Sequence, residues 1–208
     1  MIDKMVGKTE VALYGLAYSI GMLVQLFISG MNSALTPWMY SKIKKGDIRS
    51  MRKVLQLLSI VVVGIAVALM LISPELVLIF GSPKYREAVY VIPPVAASVF
   101  FIFIYNILSM PQFYYEKTQF LMAASMAAAG ANVVLNFIFI RLFGYIAAGY
   151  TTLACYMLYS VGHYIVSKQI LVNEGIQENL MNPGFLLACS VFLIGASIIC
   201  NLIFPYRI

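Results

Sequence analysis

Charged residues are scarce in this chain, since Asp, Glu, Lys and Arg make up 11% of its 208 residues. Histidine occurs once, as His163, which excludes a metal site built from several histidines of this chain. The three cysteines (Cys155, Cys189 and Cys200) stand inside apolar stretches, without the spacing of a disulfide framework or a zinc site. We interpret them as small packing residues, and we expect no metal site and no cofactor.

Catalytic patterns are missing as well. The eight acidic residues are dispersed along the chain, and neither HExxH nor Gly-x-Ser-x-Gly occurs. General acid–base or metal-assisted chemistry needs clustered carboxylates or a ligand loop. A membrane-embedded enzyme is therefore disfavoured, and no catalytic residue is predicted.

Apolar residues fill the sequence instead, at 62% of the chain with a mean hydropathy of +0.91. A soluble domain could not bury so much apolar surface, so the composition predicts an all-α, polytopic transmembrane helical bundle. Each span needs about 20 apolar residues. One bundle over residues 1–208 is expected, with about six spans at 11–37, 54–73, 88–113, 118–140, 145–170 and 185–204.

Two prolines are expected to interrupt the helices of this bundle. Pro37 is predicted to end the first span, and Pro74 to open a separate segment too short to cross the membrane. Between the fourth and fifth spans, Arg141 and Gly144 are predicted to mark a tight corner of a helical hairpin.

The positive charge is concentrated in one place. Six of the fourteen Lys and Arg residues lie between Lys42 and Lys53, between two hydrophobic segments. The positive-inside rule makes this basic loop, residues 42–53, cytoplasmic, and nucleic acid is not an expected partner. Both chain ends then lie outside, which is unusual without a signal sequence. We therefore expect the C-terminal portion of a longer transporter.

Polar residues recur at intervals of three or four along the predicted spans, which places them on common helical faces. Amides and hydroxyls both donate and accept hydrogen bonds, so these residues are candidates for a substrate pathway. The alternative is hydrogen bonding between helices, worth about 0.6 kcal/mol each. His163 is expected to make such an interhelical bond rather than relay protons. The candidates are Tyr14, Tyr18, Gln25, Ser29, Asn32, Tyr105, Asn106, Asn132 and Asn136.

The hairpin of residues 132–152, with Asn132, Asn136, Arg141 and Gly144 in order, resembles that of the bacterial polysaccharide transporter family. These proteins are the Wzx-type oligosaccharide flippases of the MOP/MATE-like superfamily. Residues 3–18, 32–38 and 113–118 are similar to further segments of that family, and the resemblance covers about residues 2–170. One departure is the corner, where the family usually has Ile-Pro-Lys and this chain has Ile140-Arg141-Leu142.

The resemblance implies one lobe of a MATE-like transporter in the bacterial cytoplasmic membrane. Such a protein translocates lipid-linked oligosaccharide units by alternating access of a central cavity. The implied partners are the lipid-linked glycan, membrane lipid, a missing N-terminal lobe and polysaccharide-assembly proteins. The alternatives are a cation-coupled multidrug exporter of the same superfamily and a non-functional truncated transporter. No charged residue stands near a predicted bilayer midplane, which weakens the exporter alternative.

Overall fold

The computed structural model describes residues 2–206, and every regular element within that range is helical. This confirms the all-α transmembrane bundle expected from the composition. Met1, Arg207 and Ile208 lie outside the described residues, so the sidedness predicted for the chain ends is not addressed. The helices are α1 (Ile2–Met5), α2 (Lys8–Lys44), α3 (Ile48–Phe80), α4 (Ile92–Tyr114), α5 (Gln119–Phe143), α6 (Ala147–Asn173) and α7 (Pro183–Ile203), with 3₁₀ segments at Pro83–Tyr90 and Phe204–Tyr206.

Five of these helices (α2, α3, α4, α5 and α7) are long and apolar enough to cross a membrane. Helix α6 occupies the place of the fifth predicted span and has 27 residues, about 40 Å of helix. It exceeds the thickness of the hydrocarbon layer. Its threonines, its tyrosines and His163 lower its hydropathy below that of the other five. Several of these polar side chains of α6 line the candidate site.

Helix α4 lies at the centre of the bundle and packs against α2, α3, α6 and α7. Apolar side chains occur on every side of α4, which is typical of a helix buried on all sides. The most apolar stretch of α4 is 89% buried, whereas that of α5 is 6% buried. Helix α5 packs mainly against α6. It therefore stands at one edge of the bundle.

The two prolines do not break the helices, so both predictions about them are wrong. Helix α2 continues through Pro37, and α3 continues through Pro74 to Phe80. A proline removes only one backbone donor, and a lipid environment favours keeping the remaining helical bonds. Pro74 leaves the carbonyl of Met70 without its usual N–H partner. The hydroxyl of Ser73 donates to that carbonyl at 2.8 Å and replaces the missing bond.

The basic segment is mostly helical, and the connection between α2 and α3 is only residues 45–47. Asp47 caps α3, because its Oδ1 accepts from the backbone N–H of Ser50 at 3.3 Å. The ammonium of Lys42 donates to Oδ2 of the same carboxylate at 2.5 Å. This hydrogen bond, with that of Ser50, holds the pKa of Asp47 below its usual range.

The corner at Arg141 and Gly144 is confirmed, since α5 ends at Phe143 and α6 begins at Ala147. Gly144 has a φ of 75°, a conformation that L side chains rarely adopt. The guanidinium of Arg141 lies 4.1 Å from the centre of the Phe137 ring. The phenol of Tyr145 donates to the carbonyl of Glu87 at 3.2 Å, and burial raises its pKa to about 12.

Two glycines let α4 approach its neighbours closely. A Cβ atom at Gly21 of α2 would lie 2.5 Å from Cγ1 of Val95 on α4. A Cβ atom at Gly149 of α6 would lie 3.0 Å from Cγ of Pro94. Small residues at helix contacts are the usual means of close packing in membranes.

Gly21→Ala should destabilise the bundle by about 1–3 kcal/mol, because the added methyl group overlaps Val95. The matched control is Gly30→Ala on the same helix, where an added Cβ meets nothing within 4 Å. That control should be neutral or stabilising by up to about 1 kcal/mol, since alanine favours helix. Thermal unfolding in detergent micelles measures both. Equal effects of the two substitutions would contradict close α2–α4 packing.

Candidate functional site

A cavity of about 530 Å³ lies between α2, α5 and α6. Helices α2 and α5 form its opposite sides and hardly touch each other within the described residues; α5 packs on α6, and both α6 and α2 pack on α4. The walls combine aromatic rings and hydroxyls with an amide, a thiol and small apolar side chains. The lining residues are Tyr14, Tyr18, Ser125, Ala128, Ala129, Asn132, Val133, Thr152, Cys155, Tyr156 and Tyr159.

The α2 wall consists of two stacked tyrosines. Tyr14 and Tyr18 are four residues apart and therefore lie on the same helical face. Their ring centres are 5.7 Å apart, with an angle of 24° between the planes. The hydroxyl of Tyr14 lies 3.4 Å from the hydroxyl of Thr152 on α6. This wall presents two ring faces and a hydroxyl pair to the cavity.

The α6 wall is backed by Tyr105 of α4. The rings of Tyr105 and Tyr156 are stacked with centres 6.2 Å apart and planes within 4° of parallel. The Tyr159 ring lies 4.7 Å from Tyr105, and its hydroxyl is 2.7 Å from the hydroxyl of Ser125 on α5. Tyr105 thus supports the wall from behind. Asn106 donates to the carbonyl of Ile102 in its own helix at 2.8 Å.

The two asparagines of α5 have different positions. Asn132 borders the cavity, and its Oδ1 accepts from the amide of Asn136 at 2.9 Å. Asn136 is outside the lining and accepts from the hydroxyl of Thr151 on α6 at 2.7 Å. Asn136 therefore ties α5 to α6 and orients the amide of Asn132.

The remaining α2 candidates are not brought to this cavity. Gln25 and Ser29 are exposed and do not line it. Asn32 is half-buried, about 21 Å along the helix from Tyr18, and its Oδ1 has no partner among the described residues. The structure therefore brings together Tyr14, Tyr18 and Asn132. The other six candidates do not line the cavity, and the part of all nine in a substrate pathway stays a prediction.

Sequence reasoning did not select the α6 residues that complete the cavity. Thr152, Tyr156 and Tyr159 are separated by four and three residues, the same spacing that selected the α2 stripe. Ser125 on α5 follows no such pattern, because its neighbours are alanines and methionines. The spacing rule could have found the first three, and only the fold identifies the fourth.

His163 makes the interhelical hydrogen bond that was expected of it. Its Nδ1 lies 2.8 Å from the amide nitrogen of Gln112 on α4, and both side chains are buried. The same amide donates to the carbonyl of Leu108 at 3.3 Å, so Nδ1 is assigned as the acceptor. The His163 ring also meets the Tyr159 ring edge-on, with centres 4.4 Å apart. The Gln112–His163 pair therefore supports Tyr159 in the wall of the cavity.

Within residues 2–206, no group of three His, Cys, Asp or Glu side chains is placed to hold a metal ion. The lining of the cavity, as far as the described residues go, includes no Asp, Glu, Lys or Arg. What the arrangement offers a ligand is neutral hydrogen bonding and aromatic surface.

Long apolar helices around a polar cavity define this protein as a multi-pass helical membrane protein. The family model described as MatE matches residues 1–138, two thirds of the chain. The chain belongs to the MatE family, and the members of this family are transporters rather than enzymes. The match supports the MOP/MATE-like superfamily that the hairpin resembles. No curated protein and no solved structure matches the chain.

The Gln112–His163 bond leads to a prediction about stability. Gln112→Leu or His163→Leu alone should cost about 1–3 kcal/mol, because each leaves the other buried group without its partner. The double variant should lose less than the sum of the two, by about 0.5–3 kcal/mol. Thermal unfolding in detergent of all four proteins gives this coupling. Gln169→Leu, at an exposed position of α6, is the control and should have little effect. Strictly additive losses would contradict the bond.

Proposed function

We propose that this transporter translocates lipid-linked oligosaccharide units across the membrane by alternating access. The observation that carries the proposal is the 530 Å³ cavity between membrane helices, lined by tyrosines, hydroxyls and an amide. Sugars carry many hydroxyl groups, and hydroxyl and amide side chains serve these as hydrogen-bond donors and acceptors. The stacked rings of Tyr14 and Tyr18 supply flat apolar surface for the faces of sugar rings.

The charge of the cavity favours a neutral headgroup over a cationic drug. A buried cation needs a paired anion, because an unpaired charge in a low-dielectric site is costly. Among the described lining residues there is no carboxylate to supply one. Family membership alone does not distinguish a transporter of oligosaccharides from a transporter of drugs. The choice between the two substrate classes in this proposal therefore rests on the lining of the cavity.

The packing of α5 supports a cavity that can change its opening. Helix α5 packs mainly on α6, and Ala124, Ala128 and Ala131 are half-buried small side chains of α5. One contact across the cavity wall is the bond between Ser125 and Tyr159. Helix α5 has few contacts with helices other than α6, so its displacement would widen the cavity at the cost of contacts in that one interface, among them Ser125–Tyr159 and Asn136–Thr151. Rocking of helices around a fixed site is the usual form of alternating access.

The exposed polar residues of α2 support the proposal that a second lobe of the transporter faces this helix. Gln25 and Ser29 are exposed on a helix long and apolar enough to span the membrane. An amide placed in hydrocarbon without a partner costs several kcal/mol. We propose that this face of α2 meets water or a second lobe across the substrate path.

Transport in reconstituted vesicles tests the proposed function. The probe is a fluorescent lipid-linked oligosaccharide, and a membrane-impermeant quencher reports its movement between leaflets. Tyr18→Ala and Tyr156→Ala should each slow flipping about tenfold, or ~1.4 kcal/mol of barrier. Tyr40→Ala is the control, because Tyr40 packs against Tyr114 near the other end of α2. Absence of flipping by the folded protein, together with extrusion of a cationic dye, would contradict the proposal.

We propose that the basic end of the bundle, around residues 45–47, faces the cytoplasm of a bacterial cell. Lys45→Cys should then react with an impermeant maleimide only from the cytoplasmic side. Lys84→Cys, in the 3₁₀ segment at the other end of α3, should react only from outside. Labelling of intact cells against inverted vesicles measures this. The reverse pattern would overturn the orientation.

A further inference from the structure

A second recess lies on the other side of α6 from the cavity. It is a groove of about 260 Å³ between α6 and α7, with α4 as its floor. Within the described residues α6 and α7 hardly touch, so the groove lies between them. Phe100 and Ile104 form the floor, Met157 and Tyr164 belong to α6, and Leu187 to α7. Its surface is almost wholly apolar, unlike that of the cavity.

The dimensions of the groove fit a hydrocarbon chain. A cavity of about 150 Å³ holds one benzene ring, so 260 Å³ holds on the order of ten carbons. The lining runs from Met157 to Tyr164 on α6 and from Pro183 to Ser190 on α7, about 10 Å on each helix. A whole helix has a diameter of roughly 10–12 Å and does not fit such a groove.

A cation lies at the end of the groove where α7 begins. Nε of Arg52 donates to the carbonyl of Asn179 at 2.7 Å, four residues before Pro183 of the groove lining. Arg49 lies one turn earlier on the same side of α3 and is exposed. The Arg52 guanidinium is therefore bonded to the connection that leads into the groove-lining part of α7, and Arg49 is on the same side of α3 as Arg52.

Nearby acids do not cancel this charge. Nη2 of Arg52 lies 3.5 Å from Glu178, whose side chain is 51% exposed, and such exposed pairs are weak. The bonds of Arg52 to Asn179 and Glu178 engage Nε and Nη2 and leave Nη1 as the nitrogen that can donate to a phosphate oxygen. A hydrogen bond from a charged guanidinium to a phosphate oxygen is short and strong.

We propose that this groove binds one acyl chain of an anionic membrane phospholipid, whose phosphate is bound by Arg52 and Arg49. The rim of the groove opens toward lipid, because Val161 is 56% exposed and Leu187 is 65% exposed. A leaflet next to a basic protein end supplies anionic headgroups at the right depth. The bound chain fills the gap between α6 and α7.

The lipid tail of the transported substrate is the other conceivable occupant. The cavity uses Thr152, Cys155 and Tyr159 of α6, whereas the groove uses Met157 and Val161. Successive residues are about 100° apart, so the two linings, with Tyr156 of the cavity and Ser160 and Tyr164 of the groove included, face directions roughly 140° apart around α6. A substrate whose headgroup is in the cavity cannot place its tail in the groove without crossing that helix. The groove is therefore assigned to a membrane lipid.

Native mass spectrometry of the full chain in detergent, with added phosphatidylglycerol, tests this site. Ser190→Trp fills the groove and Arg52→Gln removes the headgroup contact, so each should lower retention of the lipid at least fivefold. The controls are Leu202→Trp, at an exposed position near the far end of α7, and Arg86→Gln at the opposite end of the bundle. Both should retain the lipid as the unsubstituted chain does. Phosphatidylcholine with the same acyl chains should be retained at least fivefold less.

Three outcomes would overturn the proposal. One is equal retention of phosphatidylglycerol by Ser190→Trp and Leu202→Trp. Should Ser190→Trp fail to fold, Val161→Trp replaces it in this comparison. The second is full competition by glycerol phosphate, which has no acyl chain. The third is displacement of phosphatidylglycerol by a lipid-linked oligosaccharide, which would assign the groove to the substrate. Retention is measured without transport, so its failure leaves the proposed function untouched.

Discussion

In a membrane, a buried polar group needs a hydrogen-bond partner within the protein, and this requirement governs the arrangement of this bundle. Helix α6 carries many of these groups, and its neighbours supply partners for several of them, although Ser167 Oγ and His163 Nε2 have none among the described residues. Ser160 donates to the carbonyl of Phe101 at 2.9 Å, and His163 pairs with Gln112. Both bonds run to α4, which is why α6 packs against the centre of the bundle. The hydroxyl of Thr151 donates to Asn136, which holds α5 against the other side of α6.

The composition was enough to predict the helical, membrane-spanning character, since hydropathy reflects the solvent rather than any one contact. Helix ends depend on local compensation that composition does not encode. Pro74 shows this most clearly, because the helix persists where Ser73 replaces the lost hydrogen bond of Met70. The rule that proline ends a helix describes the removal of a donor. Whether a neighbouring hydroxyl satisfies the orphaned acceptor depends on the rotamer of a single side chain.

The candidate site was predicted in part for the same kind of reason. Periodicity places Tyr14, Tyr18 and Gln25 on one face of α2, and the structure agrees that they share a helix. Periodicity does not show over what length of that face a neighbouring helix makes contact. Helix α6 meets α2 near Tyr14, through Thr152, but does not line the stretch that holds Gln25. Which part of a polar stripe faces a cavity depends on where two helices diverge, and this is a property of packing.

Helix α6 separates two recesses of opposite character, a hydroxyl-rich cavity and an apolar groove. Tyr156 and Met157 are adjacent in sequence, yet one lines the cavity and the other the groove. A displacement of α6 alone toward one recess would narrow that recess and widen the other, because the same helix is a wall of each. A lipid in the groove, where we propose one, would resist closure on that side. The occupancy of the groove would therefore bear on the width of the cavity.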